Sequence, residues 1–257
     1  MSQISASLNR TVKEFIREKA VLFWTIAWPI IWVLIGAFSF TGDAPEEFVP
    51  YVKGAITISM IVFALMMAGM TNLASSIASD RETGMLSKLI SMPVNPWKDF
   101  TGRILAVAVF SVLAAALVTA VGFAVGARFP STAIDVLSAI GFLLLVVCAS
   151  AGIGLIIGTF IKHLQGAIMT GVGIAVITAA ISGLFAPYSA LPAPLQLFSR
   201  FYPVSSAGAS ATCVLLGEEM VGYNPLATSQ ISLTIGLSLF LLILGIVLYS
   251  RLFWKSE

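Results

Sequence analysis

The chain has few charged residues and a single histidine among its 257 residues. Charged residues make up 10% of the sequence, hydrophobic residues make up 58%, and the mean hydropathy is +1.00. Soluble domains are about half apolar and about a quarter charged, so a water-soluble fold cannot cover this much apolar surface. The composition therefore excludes an ordinary soluble domain and predicts an integral membrane protein.

Other absences exclude classes of function. The net charge of +2 is small, and the basic residues lie at the ends of apolar runs, so no nucleic-acid partner is expected. The two cysteines, Cys148 and Cys213, stand in different segments and form neither a disulfide framework nor a metal site. No apolar run carries the paired carboxylates of an ion-coupled carrier or the nucleophile and base of a membrane hydrolase.

A phosphate-binding loop is also missing, because the sequence contains no Gly-Lys dipeptide and hence no Walker A motif. We therefore expect no catalytic residue, no metal and no cofactor on this chain. If transport uses ATP, another chain must bind the ATP and the Mg.

The apolar runs predict six membrane-spanning helices, because about 20 residues are needed to cross the hydrocarbon core. The long apolar stretch 134–186 is divided at Lys162-His163, its charged break. Residues 187–228 contain prolines that rule out one continuous helix, and we interpret them as a broken or re-entrant helical segment buried against protein. The predicted spans are 20–41, 52–78, 104–127, 134–161, 165–186 and 229–250.

The predicted fold is an all-α membrane protein with one domain, residues 1–257. Residues 4–19 have the pattern of an amphipathic helix on the membrane surface. With the N-terminus in the cytoplasm, 11 of the 14 lysines and arginines fall in inner segments, as the positive-inside rule requires. We therefore expect both termini in the cytoplasm.

The segment 75–103 between spans 2 and 3 carries the most informative pattern. Ser79-x-x-Glu82 resembles a capping box at a helix start. Four apolar residues then recur at helical spacing: Met85, Leu86, Leu89 and Ile90. These features predict a short amphipathic helix over about 80–91, suited to docking in a partner's groove. The alternative is a membrane-surface helix without a partner.

The same segment resembles the inner-loop signature of ABC-2 type transporter permeases. That signature runs as acid-Arg-Glu-x-Gly-x-Leu, followed by a Thr-Pro-Val-like step and Gly-Lys. The matching residues are Asp80-Arg81-Glu82-Thr83-Gly84-Met85-Leu86, Met92-Pro93-Val94 and Gly102-Arg103. Met92 replaces the usual threonine and Arg103 replaces the usual lysine. The topology is similar over the whole chain.

The resemblance implies the transmembrane subunit of an ABC exporter with a type V-like fold, in the cell membrane of a prokaryote. It implies two copies of an ATPase subunit and a second permease, identical or related. The helix at 80–91 would be the coupling helix, and the N-terminal helix would be the connecting helix beside it. The implied ATPase-coupling residues are Asp80, Arg81, Glu82, Gly84, Met85, Leu86, Leu89, Lys162 and His163.

Spans 2 and 5 also carry candidates for a cargo path, because these spans tend to line the central cavity in the family. The methionines of span 2 share one helical face and suit varied apolar ligands, although ordinary packing is the alternative. The expected cargo is apolar or amphipathic: a drug, an antibiotic or a lipid. The alternatives are a glycan or other polar polymer, an ion-coupled carrier, and a non-transporting membrane subunit. The predicted path residues are Met60, Phe63, Met67, Met70, Thr178, Ser182 and Phe185.

Overall fold

The computed structural model describes residues 3–42, 45–91 and 96–253. Within these ranges the chain is helical almost throughout and contains no β-strand. Six of the described helices are long and apolar enough to cross a membrane, which confirms the prediction of an all-α, six-span membrane protein. Spans 1 to 6 are Lys19–Ser39, Val49–Glu82, Trp97–Ala124, Ala133–Phe160, Leu164–Ile181 and Thr228–Leu252.

Two span boundaries differ by more than four residues from those expected. Span 3 begins at Trp97 rather than at residue 104, because the polar Asp99 and Arg103 of its first two turns are buried and paired instead of facing solvent. Span 5 ends at Ile181 rather than at residue 186. The backbone of Gly183 has a φ of +85°, and the Leu184 N–H bonds the carbonyl of Ala179 across it, which is the hydrogen bond of a Schellman helix end.

Span 2 lies at the centre of the bundle, with 83% of its most apolar window buried. It crosses span 4 closely, since a Cβ atom added at Gly154 would meet the backbone carbonyl of Gly69. A side chain at either position would force the two backbones apart. Span 6 lies at the periphery, where its most apolar window is only 17% buried.

The N-terminal helix, Gln3–Arg17, lies across the first turns of span 3. Its buried face includes Phe15, whose ring packs edge-on against Phe110 with centroids 5.6 Å apart. The opposite face is exposed, so the helix is amphipathic as its sequence pattern predicts. The last turns of span 6 lie at this same end of the bundle, where the Tyr249 hydroxyl donates to the carboxylate of Asp99.

The helix expected over 80–91 is divided in two, and the predicted capping box is wrong. Span 2 continues to Glu82, so Ser79 lies inside a helix and its carbonyl accepts the Thr83 N–H at 2.9 Å. The chain turns at Thr83 and Gly84 and forms a separate short helix, Met85–Ser91, called here the loop helix. The Ser-x-x-Glu spacing recurs inside helices as well as at their starts, so the spacing alone did not locate the end of span 2.

Part of the family signature falls outside the described residues. Met92-Pro93-Val94 belongs to residues 92–95, and the side chain of Leu89 also lies outside what the structure describes. The predicted role of Leu89 therefore stays a prediction.

The proline-rich segment after span 5 forms two further helices, Ala193–Phe201 and Pro203–Leu216. The second, called here the inserted helix, packs against spans 2, 4 and 6. Its 14 residues reach about 21 Å, less than the roughly 30 Å of hydrocarbon core. A broken segment buried against protein is therefore present, and its depth in a membrane stays a prediction.

Candidate functional site

Charged side chains from the N-terminal helix, span 2 and span 3 meet at one end of the bundle. The guanidinium of Arg103 is fully buried, pairs with Asp80, and donates from Nε to Asp99 at 2.8 Å. Arg10 donates to both carboxylate oxygens of Asp80, at 3.3 and 3.1 Å. We call Arg10, Glu14, Asp80, Asp99 and Arg103 the charged cluster, and its end of the bundle the charged end. The pairing compensates charges that are removed from solvent.

Hydroxyl groups add hydrogen bonds to the charged cluster. Ser7 donates to Asp99 at 2.8 Å, and Tyr249 of span 6 donates to the same carboxylate at 3.2 Å. Ser76 donates to Glu14 at 2.7 Å and accepts from Arg103 at 2.8 Å. Burial raises the pKa of Glu14 above its ordinary value, and the Ser76 hydrogen bond opposes that shift. The cluster therefore joins the N-terminal helix and spans 2, 3 and 6 through one network.

The next two residues of span 2 bind the ends of two other spans. Arg81 Nη1 donates to the carbonyl of Thr159 at 2.6 Å, in the last turn of span 4. Glu82 Oε2 accepts the N–H of Leu164 at 2.7 Å, at the first residue of span 5. Both helix ends carry backbone groups without a partner inside the helix. The positive Arg81 meets the C-terminal end of span 4 and the negative Glu82 meets the N-terminal end of span 5, which are the charges that the helix dipoles favour. Asp80, Arg81 and Glu82 therefore hold spans 3, 4 and 5 at three successive positions.

The predicted coupling residues divide into buried and exposed groups. Asp80 and Leu86 are 3% and 5% exposed, and each is packed inside the chain. Arg81 and Met85 are half-buried. The exposed members lie at the charged end around two neighbouring turns: Glu82, Gly84, Lys162 and His163.

Several residues of this site are not among the predicted site residues, although Arg103 is part of the family signature. Asp99 and Arg103 stand four residues apart on one helix, and so do Arg10 and Glu14, a spacing at which opposite charges meet. That spacing is a usable signal, but the predicted span 3 began after both Asp99 and Arg103. The pairing of Arg10 with Asp80 joins residues 70 positions apart and leaves no local signal.

Gly84 ends span 2 in a left-handed conformation with a φ of +67°. Among the described residues no atom lies within 4 Å of a Cβ built there, so the turn requires a glycine for its φ rather than for close approach. We expect Gly84→Ala to destabilise the protein by about 1–2 kcal/mol, and Gly84→Asn by less, since asparagine tolerates this conformation. Thermal unfolding of both variants in detergent measures the difference. If both variants lose the same stability, the left-handed conformation of residue 84 is not the cause of the loss.

The predicted path residues fall into two places. Met60, Phe63, Met67 and Met70 are fully buried in the interior of the chain, as in ordinary packing. The Thr178 hydroxyl donates to the Ile174 carbonyl at 2.7 Å, which satisfies it within its own helix.

Ser182 and Phe185 instead line a cavity of about 540 Å³ between span 1, span 2, the segment after span 5 and the inserted helix, at the end of the bundle opposite the charged cluster. The Phe185 ring lies 5.1 Å from that of Trp32 and 5.2 Å from that of Phe63. Whether these residues line a transport path stays a prediction.

The fold and site define a multi-pass membrane protein whose spans are tied together at one end by buried ion pairs. The family model described as ABC-2 type transporter matches residues 2–216, more than four fifths of the chain. The chain therefore belongs to the ABC-2 type transporter family and is a permease, the transmembrane component of such a transporter. Permeases of this family usually work with an ATPase subunit. No curated protein matches the chain.

Proposed function

We propose that the chain is the permease subunit of an ATP-driven exporter that moves an apolar or amphipathic cargo out of the cytoplasm or the inner leaflet. It pairs with a second permease and with two ATPase subunits in a prokaryotic cell membrane. The charged end faces the cytoplasm. The observation that carries the proposal is the set of bonds from Asp80, Arg81 and Glu82 to spans 3, 4 and 5. These bonds lie directly beside the loop helix, in which Lys88 and Ser91 are exposed.

The surface that meets the ATPase subunit consists of the exposed parts of two turns and of the loop helix. The bond from Glu82 to the Leu164 N–H holds these two turns side by side. Leu86 is buried and fixes the loop helix to the bundle, so it supports the docking surface rather than forming it. We define the docking surface as Thr83, Gly84, Lys88, Lys162 and His163, all of which are exposed.

Lys88 and Lys162 give this surface a positive charge, which favours an acidic groove on the ATPase subunit. When ATP binding moves that groove, the loop helix moves with it and shifts the last turn of span 2. Buried, hydrogen-bonded ion pairs resist separation because each lost partner leaves a charge without solvent. The shift therefore reaches span 3 through the buried pair of Asp80 and Arg103. It reaches spans 4 and 5 through the charged hydrogen bonds that Arg81 and Glu82 make to backbone groups.

The cargo class follows from where the charges lie in the spans. Every charged residue within the six described spans lies within seven residues of a span end. An apolar cargo loses little hydration free energy along such a path, whereas a polar polymer would need many hydrogen-bonding partners. We therefore favour a drug, an antibiotic or a lipid-like molecule as cargo.

Reversing the two lysines tests the docking surface. We expect Lys88→Glu combined with Lys162→Glu to weaken co-purification of the partner ATPase subunit by about tenfold or more, because like charges would then face each other. Affinity capture in detergent, with quantified ATPase bands, measures it. Arg128→Glu, an exposed arginine at the opposite end, is the matched control and leaves capture unchanged.

Two results would contradict the proposal. Unchanged capture of the ATPase subunit by the double variant would remove this surface from the interface. Uphill cargo movement by the chain alone in liposomes, without any ATP-hydrolysing partner, would remove ATP as the energy source.

A further inference from the structure

Several parts of the chain form the walls of the cavity opposite the charged end. Span 1 contributes Trp32, span 2 contributes Ala55, the segment after span 5 contributes Ser182, and the inserted helix contributes Ala209. Its volume of about 540 Å³ falls within the range of small-molecule sites, which hold roughly 300–1,000 Å³.

Two buried hydroxyls on this wall, those of Ser182 and Tyr223, have no hydrogen-bond partner within the described residues. Ser182 is 2% exposed, and its Oγ makes no hydrogen bond within the described residues. The carbonyl of the same residue, free because span 5 ends there, accepts from Ser199 and Ser205 at 2.8 Å each. The local backbone is thus satisfied, and the Ser182 hydroxyl remains available. A buried hydroxyl without a partner costs about 1–3 kcal/mol, so a ligand that bonds it gains specificity.

The other residues that line the cavity indicate which charge a bound ligand can carry. The rings of Trp32 and Phe185 form part of the wall. Among the described residues that line the cavity, Glu219 is the charged one, and its side chain is exposed. A buried anion would find no compensating cation among the lining residues and would lie near that carboxylate. The nearby guanidinium of Arg200 is already stacked on Tyr188 and Tyr223, at 5.5 and 4.9 Å from the ring centroids.

We infer that this cavity binds an uncharged amphipathic molecule whose hydrogen-bond acceptor, such as an ester carbonyl, meets the Ser182 hydroxyl while its apolar part lies along Trp32 and Phe185. A role of this site in transport rests on the proposed function. Binding of the ligand does not depend on that function, because the cavity lies within one chain and needs no ATPase subunit.

Fluorescence quenching of Trp32 tests the site directly. The protein is prepared with Trp24, Trp28, Trp97 and Trp254 replaced by phenylalanine, which leaves Trp32 as the reporter. A monoacylglycerol with a dibrominated acyl chain is the probe, and we expect saturable quenching. Ser182→Ala should weaken its apparent affinity about three- to tenfold, the effect of one net hydrogen bond. A dibrominated alkane, which has no acceptor, should bind both proteins equally.

Two further comparisons complete the test. Ala209→Phe fills the cavity from the inserted helix and Ala55→Phe fills it from span 2, and either variant should abolish saturation. The dibrominated fatty acid anion should bind at least tenfold more weakly than its glycerol ester.

Quenching that never saturates, or that saturates in the two filled variants as it does in the unfilled protein, would show lipid contact instead of a cavity and overturn the inference. Equal binding of the anion, or no effect of Ser182→Ala on the ester, would overturn the assigned ligand chemistry. Failure of ATPase capture would leave these measurements intact, so the two proposals fail separately.

Discussion

Replacing Arg103 by methionine is expected to lower the free energy of unfolding by about 3–5 kcal/mol, the largest stability effect that the structure indicates for a single residue. Arg103 is fully buried and bonds Asp80, Asp99 and Ser76. Methionine keeps much of the side-chain volume but leaves two buried carboxylates to share Arg10, which is itself 23% exposed. Denaturant titration in detergent, followed by tryptophan fluorescence, measures the loss.

Two variants separate the effect of losing the buried charge from the effect of introducing a methionine on this helix. Lys98→Met makes the same substitution at an exposed position on the same helix, and we expect a change of less than about 0.5 kcal/mol. Combining Arg103→Met with Asp80→Asn and Asp99→Asn removes the uncompensated charges and should recover much of the stability. If Arg103→Met unfolds like Lys98→Met, the charged cluster does not stabilise the fold.

The six spans could be predicted from the sequence because lipid imposes a strong local rule: about 20 apolar residues in a row. The family could be recognised because its signature around Asp80 to Leu86 is contiguous in the chain. Both features are local. The predicted end of span 2 is wrong because the Ser79-x-x-Glu82 pattern has the same letters inside a helix as at its start. The structure distinguishes the two by the continuous helix through Ser79 and by the left-handed turn at Gly84.

The candidate site was less predictable because its bonds join distant segments. Arg81 and Glu82 bind span 4 and span 5 about 80 positions away, and a single sequence carries no trace of such pairs. Charged residues in a signature also permit two interpretations, contact with a partner or contact inside the chain. Burial decides between them, and for Asp80 the structure shows internal pairing. The cavity wall at Ser182 depends on Gly183 ending span 5 five residues earlier than expected.

The double variant Arg81→Met with Glu82→Met is expected to lower ATP-driven export by about tenfold while capture of the ATPase subunit changes less than twofold. Both side chains act inside the permease, on the Thr159 carbonyl and the Leu164 N–H, and neither belongs to the docking surface. Coupling free energies between sites are typically 1–3 kcal/mol, a factor of 5–150, so losing both bonds should remove much of the coupling. Export by the complex in proteoliposomes, measured beside its ATP hydrolysis, tests this.

The control removes two charges from the opposite end, with Arg128→Met and Glu218→Gln, and should leave export unchanged. The comparison with Lys88→Glu and Lys162→Glu is decisive because the two pairs of variants should fail differently. The lysine reversals release the ATPase subunit, whereas the Arg81 and Glu82 variant keeps it bound and hydrolysing ATP without moving cargo. If the Arg81 and Glu82 variant instead loses the ATPase subunit, these residues form the interface. If it exports normally, the bonds to spans 4 and 5 do not transmit the motion of the loop helix.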